Sequence, residues 1–293
     1  MDALQCRQEL ATLDSLRRAK VVEALLVVRM IRKSRRVLEV WEECHRDWNE
    51  TLYRMTAYAM GAPRNTAPFE ELSRRVTYHM CLKERNSLRR VEALLLGASG
   101  LLSGEYGDDS VMALQADYAY LVGKYNVESM RAGEWARGGM MPAGNPVMRI
   151  VQMAALVAKE EFCVDGLLKI GSTEDAERFF RIATDKFWCN RMGVDGGGVS
   201  RIGRDKVNML TINLVVPLQF AYAVATNNVA LKDSSFALLE KIPAEHNRLV
   251  GRWTGEGVEC PSAYDSQALI ELSHLCDAGG CRECPLGRML HRG

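Results

Sequence analysis

The chain is 293 residues long and carries 38 Lys and Arg against 37 Asp and Glu, a formal net charge of +1. That balance excludes a wholly basic nucleic-acid coat protein and an acidic solvating tail. With 47% hydrophobic and 26% charged residues and a mean hydropathy of −0.15, the composition is that of a globular protein rather than a disordered or membrane-spanning one, long enough to be expected as two lobes.

The first glycine is Gly61 and the first proline Pro63, so sixty residues pass without a strong breaker and read as helix. A break is expected near Asp14-Ser15 or around Ser34, because globular helices rarely run so long. Trp41, His45, Trp48, Leu52, Met55 and Ala59 recur at steps of three and four, one core-facing stripe. Pro68 with Glu70 and Glu71 marks a fresh helix start. Leu88–Leu96 is helical and ends in the glycine-spaced stretch Gly97 to Gly104. Another helix begins near Ser110, with Leu114, Tyr118, Leu121 and Tyr125 along it. The loop-like segment Gly133 to Pro146 is taken as the lobe boundary. Asn145 as N-cap before Pro146 opens a helix expected to reach Ile170, with Gly171 after it. Ser172 to Asp175 resembles a capping box opening the helix that carries Phe179 and Phe180. After the glycine-rich Gly193 to Gly203, the apolar segment Val207 to Ala225 is expected to kink or split at Pro217. Short helices around Ser235–Lys241 and Tyr264–His274 complete the series. No sustained alternation or hairpin signal occurs, so the fold expected is all-α: a helical lobe over 1–140, a second over 141–258, and over 259–293 a short helix with an irregular cysteine-containing tail.

Several segments together resemble the DUF2851 family of uncharacterised bacterial proteins, frequent in Bacteroidetes. They are Asp47-Trp48-Asn49-Glu50-Thr51-Leu52-Tyr53, Val91 to Leu102, Gly144 to Ile150, Asn213 to Pro217 with Phe220 and Tyr222, Asp265 to Leu269, and the closing Cys276, Cys281, Cys284 and Gly287. The resemblance implies no established activity. Longer family members carry a further N-terminal segment rich in acidic and histidine residues, which this chain is expected to lack. Where the family tends to have an Arg-Pro pair before Asn-Phe-Pro, this chain has Met141-Pro142-Ala143-Gly144-Asn145-Pro146. An anion-binding role is therefore not carried over to that turn, although Arg149 remains.

Nine cysteines are about 3% of the chain, too few for a disulfide scaffold. No secretory h-region follows Met1, and the most apolar run, Val21–Ile31, is too short for a membrane span. The expected setting is the reducing cytoplasm, where cysteines serve as thiols, ligands or nucleophiles. Cys281-x2-Cys284 is a common metal half-site, and with Cys276 it points to a C-terminal centre, Cys260 or else His291 supplying the fourth ligand. Zinc is the expected ion. The spacing C-x4-C-x2-C also occurs in plant-type iron–sulfur proteins, whose cluster needs a further distant cysteine.

From Arg17 to Arg36 there are eight basic residues and one acid, Glu23. Arg29, Arg32, Lys33 and Arg36 fall within one arc of a helix, a stripe suited to a nucleic-acid backbone or an acidic protein partner. The competing reading pairs them with Glu39, Glu42 and Glu43 on a solvated face. Gly196 to Asp205 approaches a phosphate loop but has arginine for lysine and aspartate for the hydroxyl, so it reads as a connection with Asp205 capping the next helix. His45-Arg46-Asp47 lacks the rest of a kinase catalytic loop. No nucleophile elbow or His-Glu-x-x-His helix occurs. Paired carboxylates such as Glu42-Glu43, Glu70-Glu71 and Asp108-Asp109 belong on solvated faces. The sequence thus reads as a binding or scaffolding module rather than a complete enzyme. The alternative is the helical part of a nucleic-acid-processing enzyme whose catalytic segment lies upstream or on a partner.

Overall fold

The computed structural model describes residues 3–103, 108–139, 144–192 and 201–290. Among them the fold is all-α, with no strand and a single antiparallel bridge between Pro243 and Ser262. The opening run divides at the first of its two expected breaks, into α1 (Ala3–Thr12) and α2 (Ser15–Glu43). Asp14 explains the place, since its carboxylate accepts the Arg17 N–H at 2.9 Å as an N-cap does. At Ser34 the helix continues, the hydroxyl turned back onto the Ile31 carbonyl.

The aromatic stripe expected along one helix spans two. The chain turns at Cys44 to Asp47, where His45 and Arg46 take positive φ of 52° and 66°. Asp47 then caps α3 (Trp48–Gly61) by accepting from Asn49 and Glu50. Leu52, Met55 and Ala59 are buried as expected, whereas His45 is exposed and Trp41 stacks on Trp48 at 4.8 Å.

Next come α4 (Thr66–Arg75), with Pro68 in its first turn, α5 (Tyr78–Glu84), α6 (Leu88–Ala98) and α7 (Asp109–Tyr125). Asp108 caps α7 through the amides of Ser110 and Val111, so this acidic pair starts a helix. Asn145 accepts from Val147 and Pro146 opens α8 (Pro146–Val157). The helix expected to reach Ile170 is interrupted, however, and resumes only as α9 (Val164–Leu168). Just past its end Lys159 turns its ammonium onto the carbonyls of Arg178, Phe179 and Arg181.

After α10 (Thr173–Phe179) and α11 (Lys186–Met192), α12 (Arg204–Leu210) is N-capped by Gly203. Asp205 therefore sits inside the first turn and is not the cap. The helix is not split at Pro217: a π-helical turn over Thr211–Val215 leads into α13 (Val216–Ala225). The wider turn accommodates the proline, which lacks an N–H and would otherwise clash with the carbonyl four residues back. Arg204–Ala225 is the one helix among the described residues long and apolar enough to cross a membrane, and 72% of its apolar 18-residue window is buried inside the protein. The chain ends in α14 (Val229–Glu240), α15 (Arg248–Thr254), α16 (Ala263–Asp277) and α17 (Pro285–Leu290).

Two compact units result, each assembled from separated stretches: Met1–Leu38 with Gly171–Thr173 and Val216–Gly293, and Glu39–Ile170 with Glu174–Val215. Both sides of the loop at 133–146 belong to the second. In the first, α14 and α15 pack on α16, α13 on α14 and α1 on α17, around Leu10, Leu25, Leu26, Met30 and Leu272. In the second, α3 is central, against α4, α5, α8 and α9, and α6 lies against α7 and α8. A run of rings, Tyr53, Tyr78, Phe162 and Phe179, at 5.8–6.0 Å between neighbours, fills its middle. Full burial of each such side chain contributes roughly 1.5–3 kcal/mol.

Glu92 is an exception within this core. It is buried on α6, accepts only a long 3.4 Å bond from the Trp188 indole, and leaves Oε1 without a partner among the described residues. Burial pushes its carboxyl from the ordinary 4.5 up to about 7, and Asp185 adds to the rise. A carboxyl raised in the folded state costs nothing below its unfolded pKa. It costs progressively more as pH climbs from 4.5 to about 7, and the full amount above that. Glu92→Gln is therefore expected to match the wild type at about pH 4 and to exceed it by about 1–3 kcal/mol at about pH 8. Urea unfolding at the two pH values checks this; an equal or negative difference at the higher one contradicts it.

Candidate functional site

The basic stripe is folded into the first unit. Arg32 grips Glu271 of α16 through Nε and Nη2 at 3.1 and 2.6 Å, and Arg29 approaches the same oxygen at 3.5 Å. Arg29 and Lys33 both donate to Gln267 Oε1, at 3.0 and 2.7 Å. Gln267 in turn donates to Glu245. Burial drives the guanidinium of Arg29 below its ordinary pKa, and the neighbouring Arg32 adds to this; burial and Arg29 do the same to Lys33. The acids that answer Arg29 and Arg32 thus include Glu271 of α16 and, for Arg29, Glu245 before α15, both far from them in the chain. Arg36, half-buried, follows them along α2.

The cysteines behave differently. None of the nine forms a disulfide. The helix α16 ends in a Schellman turn, Gly279 (φ 68°) donating to Cys276 and Gly280 to Leu275. A second turn, with Glu283 and Cys284 both donating to Gly280, carries Cys281 and Cys284 back beside it. The Cys276 thiol is pushed up to about 12 by burial and by the nearby thiols of Cys284, Cys6 and Cys281. Burial, with Asp265 and Glu245, pushes the Cys260 thiol up to about 12 as well. His291 lies outside the described residues. Among those described, no group of three or more His, Cys, Asp and Glu side chains is placed to hold a metal ion.

Of the near-phosphate loop, Gly196 to Ser200 also fall outside the described residues, as do Met141 to Ala143. Arg204, which the motif would need for phosphate, pairs with Glu177 at 3.3 Å.

Two sites escaped the sequence reading. One is a cleft of about 330 Å³ where Cys44, His45, Asp47, Glu50, Arg54 and His79 converge. Burial pushes the Glu50 carboxyl up to about 7 although it accepts the Tyr78 N–H at 2.9 Å, with Asp47 adding to the rise. The other is a recess of about 280 Å³ between the end of α3, the turn at Ala62 to Asn65 and the start of α8. Arg64 and Arg149 line it, and no Asp or Glu is among its described lining residues. Behind it Lys206 donates to the Ala59 carbonyl at 3.0 Å and is driven down to about 7, first by burial and then by Arg149. Arg149, lowered by burial, has the amide oxygen of Gln152 at 2.9 Å. Arg149 alone drew notice in the sequence, through the turn before it. Nothing local marks Lys206, because its significance is the distant cation beside it.

An all-helical protein of two units, each built from separated chain segments, with a cationic recess in the second, is the class these features define. The chain belongs to the family described as a protein of unknown function (DUF2851), whose model matches residues 1–248. The C-terminal cysteines lie beyond the matched span. No curated protein and no solved structure matches the chain.

Proposed function

We propose that the protein is a binding module rather than a complete enzyme, that it takes a phosphate-bearing ligand in the recess of Arg64 and Arg149, and that a metal centre on Cys276, Cys281 and Cys284 braces its C-terminal end. The reducing cytoplasm suits nine cysteines without a disulfide. The observation that carries the reading is a pair of half-buried cations, Arg149 and Lys206, both lowered by burial and the lysine also by the arginine, with no carboxylate among the recess's described lining residues. Buried charge of one sign is costly when unpaired, and an anion in the recess supplies the missing partner. An enclosed guanidinium suits phosphate through its forked donors.

The sign of the pH dependence follows from Lys206. Its pKa of about 7 in the ligand-free protein rises when an anion binds, so binding takes up a proton. Affinity is full below about 7 and declines as pH rises through it. Titration with inorganic phosphate and with a labelled single-stranded oligonucleotide should show binding that weakens with salt and with rising pH. Arg149→Gln should lower affinity about tenfold or more, and Lys206→Met should flatten the pH dependence. Absence of binding, or binding indifferent to Arg149, rejects this site.

A further inference from the structure

The two arginines of the cationic recess stand on walls built from different parts of the chain. Arg64 belongs to the turn after α3, and its Nη1 donates to the Gly138 carbonyl at 2.8 Å. Asn65 fastens the same turn to the neighbouring segment, donating to the Ala136 carbonyl at 3.0 Å and accepting the Ala136 N–H at 2.8 Å. Arg149 comes from the start of α8, where its Nη1 donates to Oε1 of the buried Gln152 at 2.9 Å. A guanidinium carries five N–H donors, so both walls keep donors for a ligand after these bonds are made. Each arginine is thus positioned before a ligand arrives, which lowers the ordering cost of binding.

Size and charge narrow the ligand. The recess holds about 280 Å³, at the lower end of the roughly 300–1,000 Å³ of ligand pockets. That suits one phosphate with a sugar-sized group rather than successive nucleotides. Proteins that track a single strand use a groove with rings on which bases stack, and no aromatic side chain is among the described lining residues. A phosphate inside a strand is a diester, with one negative charge and two terminal oxygens. A phosphate monoester has three terminal oxygens and carries about −1.5 to −2 at neutral pH. Arg64 and Arg149, with Lys206 held behind them on the Ala59 carbonyl at 3.0 Å, bring three cationic groups to one small recess. That charge answers a monoester and exceeds what a diester offers.

We propose that the recess of Arg64 and Arg149 takes a phosphate monoester, from a sugar phosphate or from the phosphorylated end of a nucleic-acid strand, in preference to the diesters within a strand. This rests on the phosphate-binding part of the proposed function and narrows its ligand.

The test uses the full chain at low salt and about pH 6.5, below the Lys206 value of about 7 and above the second pKa of the ester, about 6. The probes are ribose 5-phosphate, a labelled single-stranded oligonucleotide with a 5′-phosphate, and the same strand with a 5′-hydroxyl. The phosphorylated strand should bind about tenfold or more tightly than the hydroxyl strand, and ribose 5-phosphate should displace it. Arg64→Gln and Arg149→Gln should each remove most of that preference. The displacement is measured on the wild type and does not depend on either variant folding. If ribose 5-phosphate binds as tightly as the phosphorylated strand, the source is the small ester; a tighter strand identifies a strand end, and both outcomes support the monoester. Equal binding of the two strands, lost from both in Arg149→Gln, overturns the monoester and keeps the recess as a phosphate site. No binding of any probe, or binding indifferent to Arg149, overturns the recess as well.

Discussion

Replacing Glu271 by alanine is expected to lower stability by about 3–5 kcal/mol, the loss measured when one partner of a buried ion pair is removed. Glu271 is 4% exposed and is approached by both Arg29 and Arg32. Without it, two guanidiniums and the Lys33 ammonium remain clustered against α16 and lose the carboxylate nearest to both arginines. The exposed pair Arg18–Glu259 provides the control: at 2.6 Å its geometry is equally good, but Glu259 is 72% exposed. Glu259→Ala should therefore cost less than about 1 kcal/mol, because solvent screens the pair. Denaturant midpoints of the two variants, compared at equal slope, separate the cases. Equal midpoints would mean that the basic stripe is not held by Glu271.

Gly100→Ala is expected to be comparably damaging for a different reason. Gly100 takes φ 74° as the residue after the α6 cap, with Gly100 donating to Gly97 and Leu101 to Leu96. A side chain in this left-handed region costs about 1 kcal/mol or more before any contact is made. A Cβ at Gly100 would also stand 2.2 Å from the Met130 carbonyl oxygen. The segment at Met130 cannot retreat freely, since its own N–H donates to Ala98 at 2.7 Å. Trp135 is fastened to the same turn, its indole donating to Ser99 O at 2.9 Å. Loss of that docking together with the strain should total about 3–5 kcal/mol. Gly133, where a Cβ meets nothing within 4 Å, should accept alanine within about 0.5 kcal/mol. A thermal scan in which both variants melt alike would show that the turn relaxes at little cost.

What the sequence determined by itself is what acts within a few residues. The all-α class followed from helical periodicity, and the start of α8 at Asn145-Pro146 followed from a side chain that caps an amide two positions away. The end of α6 at its glycines followed from the conformation those glycines allow. Local signals failed where packing overrode them. The helix after Pro146 stops at Val157, well short of Ile170, and Lys159 beyond it packs its ammonium against the carbonyls of Arg178, Phe179 and Arg181. Pro217 stays in a continuous helix because a π turn precedes it. Only the tertiary structure decided which charges meet. The arginines of α2 read locally as a free face or as partners of Glu39, Glu42 and Glu43, whereas Glu271 lies some 240 residues on. Lys206 carries no motif, and Arg149 is marked in the sequence only by the turn before it. Burial and proximity set their chemistry, because an ion's energy depends on the solvent it loses and on the charges around it. Both are properties of packed helices, which no spacing along the chain encodes.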